Sequence, residues 1–119
     1  MATSSTADVI RIHSHGGPEA MKLEKVELSP PGPGQVRLKH TAIGVNFIDV
    51  YKRTGLYPSQ LPAGLGEEAA GVVEALGDGV AGLKVGDRVV YNGLPGGYAS
   101  HRNAPAEKMV LIPDYVKDE

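Results

Sequence analysis

Two apolar runs separated by glycine turns stand out in the pattern of hydrophobic and polar positions. Residues 69–73 and 89–91 form these runs within the segment 64–91. Short apolar runs that contain β-branched residues and are bounded by glycine or aspartate are typical of strands. Gly-Asp-Gly at 77–79 and Val-Gly-Asp at 85–87 provide the residues that tight turns require. The pattern therefore predicts a strand, two turns and a second strand.

Shorter strands are predicted on both sides of that segment. Apolar positions that alternate or follow β-prone residues predict strands at 9–12, 21–28, 35–45, 98–101 and 108–112. Within 21–28 the apolar residues move from odd positions (21 and 23) to even positions (26 and 28). We therefore expect a bulge near Glu24 and Lys25, where the two patterns meet. The prolines and glycines at 30–34 mark a loop, because proline cannot donate to a ladder. We expect about six to eight short strands in total, which makes the fold class mainly β.

One short helix is predicted between an N-cap at Asn46 and a glycine C-cap at Gly55. Phe47, Val50 and Tyr51 recur at helical spacing between these two residues. Asparagine is a preferred N-cap residue, and glycine readily adopts the left-handed conformation that ends many helices. The loop that follows contains two prolines and no periodicity, and such loops often carry binding residues.

The composition is that of an ordinary globular domain. A chain of 119 residues with a net charge of -2 has room for one core and offers no basic field for polyanions. We therefore expect no nucleic-acid partner. No apolar run approaches the ~20 residues of a membrane helix, so we expect no membrane partner either. Residues 1–8 lack the features of a secretory signal and are interpreted as a frayed leader.

The absence of cysteine narrows the candidate chemistry. Zero cysteines exclude disulfides, thiolate metal sites and a cysteine nucleophile, and they fit a reducing, cytoplasmic location. Only one pair of histidines would share a strand face, and two ligands alone rarely make a site. We therefore predict no metal site and interpret all four histidines as surface or turn residues. They are His13, His15, His40 and His101.

A glycine pattern at 77–82 matches the dinucleotide fingerprint GxGxxG, but we reject the match. A true fingerprint opens a helix whose first N–H groups face a pyrophosphate, and an acidic residue follows about twenty positions later. Here a second glycine turn and a strand follow, and Tyr98 lies near the position of the acid. Two tight β-turns are the better interpretation.

Two adjacent carboxylates, Glu67 and Glu68, stand at the head of the central strand. Adjacent strand residues point to opposite faces, so at most one of them can face a given cavity. We favour a local hydrogen bond for Glu67 and an inward orientation for Glu68 over a pair that performs acid–base chemistry.

Asn46, Tyr51 and Tyr57 form the best candidate site. A short helix and its following loop would bring this amide and these two phenols close to Gly66 and Glu67. Tyrosine often packs its ring while its hydroxyl stays wet. On these residues alone, a packing role and a functional role both stay open.

Four blocks of residues resemble a known family of enzymes. They are AIGVNFIDVY at 42–51, GLYP at 55–58, GEEAAGVV at 66–73 and VGDRV at 85–89, in family order and spacing. The chain resembles the zinc-free quinone oxidoreductases of the ζ-crystallin type, in the medium-chain dehydrogenase/reductase superfamily, from about Val9 onward. The resemblance implies a GroES-like fold, which is a partly open β-barrel with one or two short helices.

The resemblance also implies a site without zinc. In zinc alcohol dehydrogenases of the superfamily, a cysteine and a histidine bind the metal at the positions of Asn46 and Glu67, and neither ligand is present here. Without that Lewis acid, the implied reaction is hydride transfer from a reduced nicotinamide to a quinone or an activated alkene. The resemblance gives Asn46, Tyr51 and Tyr57 catalytic roles, and it makes Asn46 and Tyr57 contacts of NADPH. Many quinone oxidoreductases have threonine at the position of Glu67, so no family role carries over to that residue.

Residues 1–119 are expected to be the N-terminal portion of a catalytic domain. The family places a Rossmann nucleotide-binding domain after this portion, and none is recognisable in these 119 residues. We therefore expect weak NADPH binding and negligible turnover from this segment alone. The full-length enzyme is expected to be a homodimer, and the segment a monomer.

Two alternative functions stay open. An enoyl or alkenal reductase of the same superfamily would use the same pocket geometry. A free-standing GroES-like domain that binds a protein partner, as a co-chaperonin does, is disfavoured, because the loop at 30–34 has no aliphatic tripeptide for docking.

Overall fold

A computed structural model describes residues 5–119, which form eight strands and one α-helix. The strands are β1 (Ser5–Ile12), β2 (Met21–Leu28), β3 (Gln35–Ile43), β4 (Ala63–Gly64), β5 (Glu68–Leu76), β6 (Arg88–Asn92), β7 (His101–Pro105) and β8 (Val110–Leu111), and the helix is α1 (Phe47–Thr54). Single 3₁₀ turns precede β2 and β8, at Pro18–Ala20 and Ala106–Lys108. The predicted mainly β class is confirmed.

The strands form two antiparallel sheets. The smaller sheet has the strand order β2-β1-β4, and the larger has the order β7-β3-β5-β6-β8. The extended segment Tyr98–Ser100 joins them. Ser100 N–H donates to the Asp8 carbonyl of β1 at 2.8 Å, and His40 N–H of β3 donates to the Ser100 carbonyl at 2.8 Å. Because no continuous ladder closes the two sheets, the result is the partly open barrel that the resemblance implied.

The core lies on the inner face of the larger sheet. Alternation in β3 turns Val36 and Leu38 inward, where both are fully buried, and Arg37 faces the other way. These residues belong to one cluster of buried side chains, which comprises Val36, Leu38, Ala69, Val73, Val89, Tyr91 and Ala104. The central segment predicted as strand, turns and strand supplies four of these residues through β5 and β6, which are paired antiparallel.

Two glycines let backbone segments approach closely. A Cβ on Gly71 of β5 would lie 2.6 Å from the Lys39 carbonyl oxygen of β3. A Cβ on Gly77 would lie 2.9 Å from the Gln35 carbonyl oxygen, and it would come closer still to the carbonyl oxygen of Gly32. Backbone atoms cannot move aside as a flexible side chain can, so both positions exclude any larger residue.

Several sequence predictions are confirmed. The helix starts after Asn46 and ends at Gly55, which has a left-handed φ of 90°. The segment 77–82 forms turns and no helix, as expected from the rejected fingerprint. Separately from these predictions, no helix in the described part of the chain is both long and apolar enough to cross a membrane.

The predicted bulge in β2 is wrong. β1 and β2 pair without a register shift, from Ser5 opposite Leu28 to Ile12 opposite Met21. The change of parity has another cause: Leu23 points outward with 72% of its surface exposed, while Glu24 takes an inward-facing position on the strand. Periodicity alone could not identify the outlying apolar residue.

Three predicted boundaries also need correction. The segment Tyr98–Ser100 forms only an isolated bridge, and the strand starts at His101 and continues to Pro105. The strand predicted at 108–112 shrinks to β8 because a 3₁₀ turn occupies its start. The leader predicted at 1–8 is wrong for residues 5–8, which lie in β1, and its first four residues lie outside the described residues.

Gly77→Ala should destabilise the protein strongly. The added methyl group would meet the carbonyl oxygens of Gly32 and Gln35, and we expect the free energy of unfolding to fall by about 2–3 kcal/mol. Urea denaturation measures this change. Gly16→Ala is the matched control, because its Cβ would make only an ordinary contact with Ala20 at 3.5 Å. Equal stabilities of the two variants would contradict the close approach at Gly77.

Candidate active site

The first turn of α1 is fixed by a buried carboxylate. Asn46 N–H donates to Asp49 Oδ2 at 3.0 Å, and Asp49 N–H donates back to the Asn46 carbonyl at 3.0 Å. Asp49 is 3% exposed and is the buried charged residue of the described chain. The carboxylate satisfies an N–H group at the helix start and fits the positive end of the helix dipole.

Asp49 also ties the helix to the segment that joins the sheets. The Tyr98 hydroxyl donates to Asp49 Oδ2 at 2.8 Å. Burial raises the pKa of Tyr98, and the acceptor carboxylate of Asp49 raises it further, so the phenol stays protonated as a donor. The ring lies against Gly66, where a Cβ would be 2.5 Å from Tyr98 Cδ1 and where φ is 94°. Gly66 is therefore required both by its conformation and by the ring.

Asn46 and Glu68 meet at the mouth of the larger sheet. Asn46 Nδ2 donates to Glu68 Oε2 at 3.3 Å. The Glu68 side chain lies across Gly44, where an added Cβ would be 2.6 Å from Glu68 Cδ. Glu68 is half-buried, which agrees with the inward orientation expected for it.

Glu67 is held by an ion pair with α1. The Lys52 ammonium donates to Glu67 Oε1, and the two side chains are only 21% and 12% exposed. The Glu67 carbonyl accepts hydrogen bonds from the N–H groups of Gly93 and Leu94 at 2.8 and 3.2 Å. Glu67 is hydrogen-bonded as expected, but its side-chain partner Lys52 lies 15 residues away on α1, so the bond is not the local one that was predicted.

Tyr51 and Tyr57 contact each other at the C-terminal end of α1. Their rings pack edge to face with centroids 5.3 Å apart, and Tyr57 N–H donates to the Tyr51 carbonyl at 3.1 Å. Neither hydroxyl has a hydrogen-bond partner among residues 5–119. Both phenols are therefore free to donate to a bound molecule.

The three predicted site residues thus form two local groups on one helix and its loop. The structure joins Asn46 to Glu68 and Tyr51 to Tyr57. Their catalytic and cofactor-binding roles stay predictions. An amide and two phenols are uncharged donors, which are suited to stabilising negative charge that develops on a carbonyl oxygen.

A polar network around His40 was missed by the sequence reasoning. His40 Nδ1 lies 2.7 Å from the Ala99 carbonyl oxygen, and the Tyr91 hydroxyl lies 2.9 Å from His40 Nε2. The carbonyl can only accept, so Nδ1 carries the proton and Tyr91 donates to Nε2. Arg102 donates to the Tyr91 hydroxyl at 3.3 Å and lies over its ring.

The environment of His40 lowers its pKa. Burial lowers the pKa of His40, and the positive charges of Arg102 and His101 lower it further, against the opposing effect of the Ala99 carbonyl. The interpretation of all four histidines as surface or turn residues is wrong for His40, whose two ring nitrogens are bonded within the fold. His13 and His15 are exposed as expected.

Potential metal-binding side chains are not clustered in the described part of the chain. Residues 5–119 contain no cluster of three or more histidine, cysteine, aspartate or glutamate side chains that could hold an ion.

A partly open barrel with a short donor-bearing helix at its mouth defines a GroES-like domain. Residues 32–114 match the alcohol dehydrogenase GroES-like domain family, and the chain belongs to that family. The resemblance to quinone oxidoreductases is confirmed by relatives of high identity.

Two curated relatives of the chain are named after different reductase activities. The chain is 49% identical over 114 residues to the quinone oxidoreductase of Salmonella typhimurium, covering 92% of this chain and 34% of that protein. It is 48% identical over 107 residues to the 2-haloacrylate reductase of a Burkholderia species, covering 86% of this chain and 32% of that protein. The chain thus spans about a third of the length of the curated relatives it matches.

The fold agrees with solved structures. The quinone oxidoreductase of Escherichia coli, solved in complex with NADPH, superposes with a TM-score of 0.89 at 42% identity, covering 96% of this chain and 35% of that chain. A 2-haloacrylate reductase superposes with a TM-score of 0.82 at 44% identity, covering 93% of this chain and 34% of that chain.

Gly44→Ala should separate Glu68 from Asn46. The new methyl group would overlap the Glu68 side chain, and we expect a loss of about 1–2 kcal/mol in the free energy of unfolding. The side-chain amide resonances of Asn46 in a ¹⁵N-resolved NMR spectrum should shift as its acceptor moves away. Gly16→Ala should leave those resonances in place. Unchanged Asn46 resonances in Gly44→Ala would contradict this account of the site.

The His40 network predicts a loss of stability in acid. Because the native state disfavours protonated His40, the unfolded chain takes up this proton at a higher pH than the native chain does. The contribution of neutral His40 is complete above its ordinary pKa of 6.5 and is lost as the pH falls from there towards the lowered native pKa.

Denaturation at about pH 7.5 and about pH 5.5 tests this dependence. His40→Gln should lose less stability between the two pH values than the unsubstituted chain, whereas exposed His15→Gln should behave like the unsubstituted chain. The same pH dependence in all three proteins would show that His40 is not the titrating group.

Proposed function

We propose that this segment supplies the substrate side of an NADPH-dependent quinone oxidoreductase that works without zinc. The observation that carries the proposal is the set of uncharged donors on α1 and its loop: the Asn46 amide and the free hydroxyls of Tyr51 and Tyr57. Family membership and the names of the relatives support the choice of reaction. The conversion adds a hydride and a proton to a quinone and yields a hydroquinone.

The role of the site residues follows from the charge that develops in this reaction. When a hydride reaches the quinone, negative charge collects on a carbonyl oxygen before the proton arrives. Tyr51 and Tyr57 can donate to that oxygen, and the bond from Asn46 to Glu68 orients the amide. Exposed apolar side chains of Val45 and Phe47 flank Asn46 and offer a surface for a planar ring.

The donor set fits the nicotinamide end of NADPH. The cofactor would supply the hydride. Asn46 and Tyr57 would hold the carboxamide of the nicotinamide, because an amide and a phenol can each donate and accept. The segment 77–82 forms turns, so its glycines open no helix N-terminus that could face the pyrophosphate. Full binding therefore needs a nucleotide-binding domain outside this segment.

We also propose a domain composition, a location and an oligomeric state for the complete enzyme. The complete enzyme would carry a Rossmann domain, act in the cytoplasm and form a homodimer, and residues 1–119 alone would be monomeric. Its substrate would be a small quinone, and neither nucleic acid nor a membrane would be a partner.

A second candidate is the reduction of an activated alkene. It is favoured by the 48% identity to a protein named 2-haloacrylate reductase. A developing enolate oxygen would use the same donors as a developing hydroquinone oxygen.

The test uses the complete product of the gene that encodes this segment. We expect NADPH oxidation that depends on an added quinone. Asn46→Ala and the double variant Tyr51→Phe/Tyr57→Phe should each lower kcat/KM by about tenfold or more, since they remove donors to the developing oxyanion. Tyr115→Phe is the matched control, because Tyr115 is exposed on the C-terminal segment. Absence of quinone- and alkene-dependent oxidation, or full activity in the site variants, would refute the proposal.

The isolated segment provides a further prediction. Residues 1–119 should show negligible quinone reduction with NADPH, because the described residues 5–119 contain no Rossmann unit to bind the pyrophosphate and adenosine. Turnover by this segment at the rate of the complete gene product would show that no second domain is needed.

A further inference from the structure

The backbone of Tyr98 is held on both sides where the two sheets meet. Its N–H donates to the Leu65 carbonyl at 2.9 Å, and its carbonyl accepts a hydrogen bond from Ile10 N–H at 2.9 Å. The ring packs against Gly66, which has no side chain to displace it. The Tyr98 hydroxyl therefore reaches the first turn of α1 from a fixed point on the barrel.

Both hydrogen bonds to the Asp49 carboxylate end on the same oxygen. Asn46 N–H donates to Asp49 Oδ2 at 3.0 Å, and the Tyr98 hydroxyl donates to it at 2.8 Å. The second oxygen, Oδ1, is buried and has no hydrogen-bond partner among residues 5–119. A buried carboxylate that loses a donor carries a desolvation cost larger than the net contribution of an ordinary hydrogen bond. Tyr98 thus holds the carboxylate in place, and the carboxylate holds the backbone of Asn46.

The side-chain amide of Asn46 depends on this chain of contacts. Its backbone is held by Asp49, and its Nδ2 donates to Glu68 Oε2 at 3.3 Å. Burial raises the pKa of Tyr98, the Asp49 carboxylate raises it further, and the positive charge of Arg53 opposes them. The phenol therefore stays protonated and bonded to Asp49, so it acts through the carboxylate rather than on a substrate.

The other end of α1 is held independently of Tyr98. Gly16 N–H donates to the Arg53 carbonyl at 2.9 Å, and Arg53 Nε donates to the Gly16 carbonyl at 3.2 Å. Tyr51 and Tyr57 pack together at that end of the helix. Loss of the Tyr98 hydroxyl should therefore disturb the start of α1 and leave the two phenols of the site in place.

We propose that Tyr98 is a positioning residue for hydride transfer, because its hydroxyl sets the amide of Asn46 through the Asp49 carboxylate. This inference rests on the proposed reductase function, in which Asn46 is a donor of the site. Small displacements of a donor group lower the rate even when the group itself is still present. Tyr98 therefore contributes to the reaction without contact with substrate or cofactor.

The test is a double-mutant cycle in the complete gene product, assayed with NADPH and a quinone. Tyr98→Phe removes only the hydroxyl, and we expect it to lower kcat/KM about fivefold. In the Asn46→Ala background, the same substitution should change kcat/KM by less than about 1.5-fold, because the group that Tyr98 positions is already gone. In the Tyr51→Phe/Tyr57→Phe background, the whole loss should persist. The rates are measured at a temperature at which circular dichroism shows each variant to be folded.

Tyr91→Phe is the matched control. It also removes a buried phenol hydroxyl that is hydrogen-bonded, but the partners His40 and Arg102 lie on β3 and β7 rather than on α1. Tyr91→Phe should lower the stability and leave kcat/KM unchanged. An equal loss of kcat/KM in Tyr91→Phe would trace the effect to general stability and overturn the inference.

Two further results would overturn the inference while leaving quinone reduction intact. They are full activity in folded Tyr98→Phe, and an equal fold-loss from Tyr98→Phe with and without the Asn46 amide. If Tyr98→Phe does not fold, Asp49→Asn takes its place in the cycle, because it removes the charge but keeps one oxygen acceptor, and the same dependence on Asn46 is expected. Failure of the unsubstituted gene product to reduce the quinone would overturn the proposed function, and the inference with it.

Discussion

The buried carboxylate of Asp49 is the interaction on which the candidate site depends. An eight-residue helix is too short to be stable alone, so α1 must be held by tertiary contacts. Asp49 provides one of them by accepting a hydrogen bond from the Tyr98 hydroxyl, and it also caps the helix locally by accepting one from the Asn46 backbone. A charged group with so little exposure would be costly without these partners. The position of Asn46 therefore depends on the hydrogen bond between the Asp49 carboxylate and the Tyr98 hydroxyl.

Glycines shape the surroundings of the helix as much as side chains do. Gly66 leaves room for the ring of Tyr98, and Gly44 leaves room for the carboxylate arm of Glu68. In both places, the absence of a Cβ lets a polar side chain reach the first turn of α1. The candidate site is therefore assembled from polar contacts across gaps that glycine leaves.

Local features of this fold could be predicted from the sequence. The strands β5 and β6, the helix caps at Asn46 and Gly55 and the turns at 77–87 each depend on residues that are neighbours in the chain. Family resemblance supplied the barrel topology, which no local pattern determines. The prediction of a bulge in β2 was wrong because Leu23 is apolar but exposed, and the alternation pattern counted it as a core residue.

Contacts between distant residues could not be predicted in the same way. His40 lies 51 residues from Tyr91, and Tyr98 lies 49 residues from Asp49. Lys52 and Glu67 are closer in sequence, but only the turn of the loop between them brings the charges together. The three candidate residues were identified because a helix and its loop group them locally, whereas their roles depend on a substrate that no pattern in the chain describes.

The segment Tyr98–Ser100 has a consequence for the order of folding. β1 and β2 are adjacent in sequence and can pair as a hairpin early, but the hydrogen bond from Asp8 N–H to Ser100 Oγ spans 92 residues. Forming a contact of such long range costs loop-closure entropy before the contact can stabilise the folded state. We therefore expect the two sheets to join late, after the local pairings have formed. Because Tyr98 belongs to the same segment, we expect Asp49 to receive its second donor in that closing step, so that the mouth of the barrel takes its final shape late in folding.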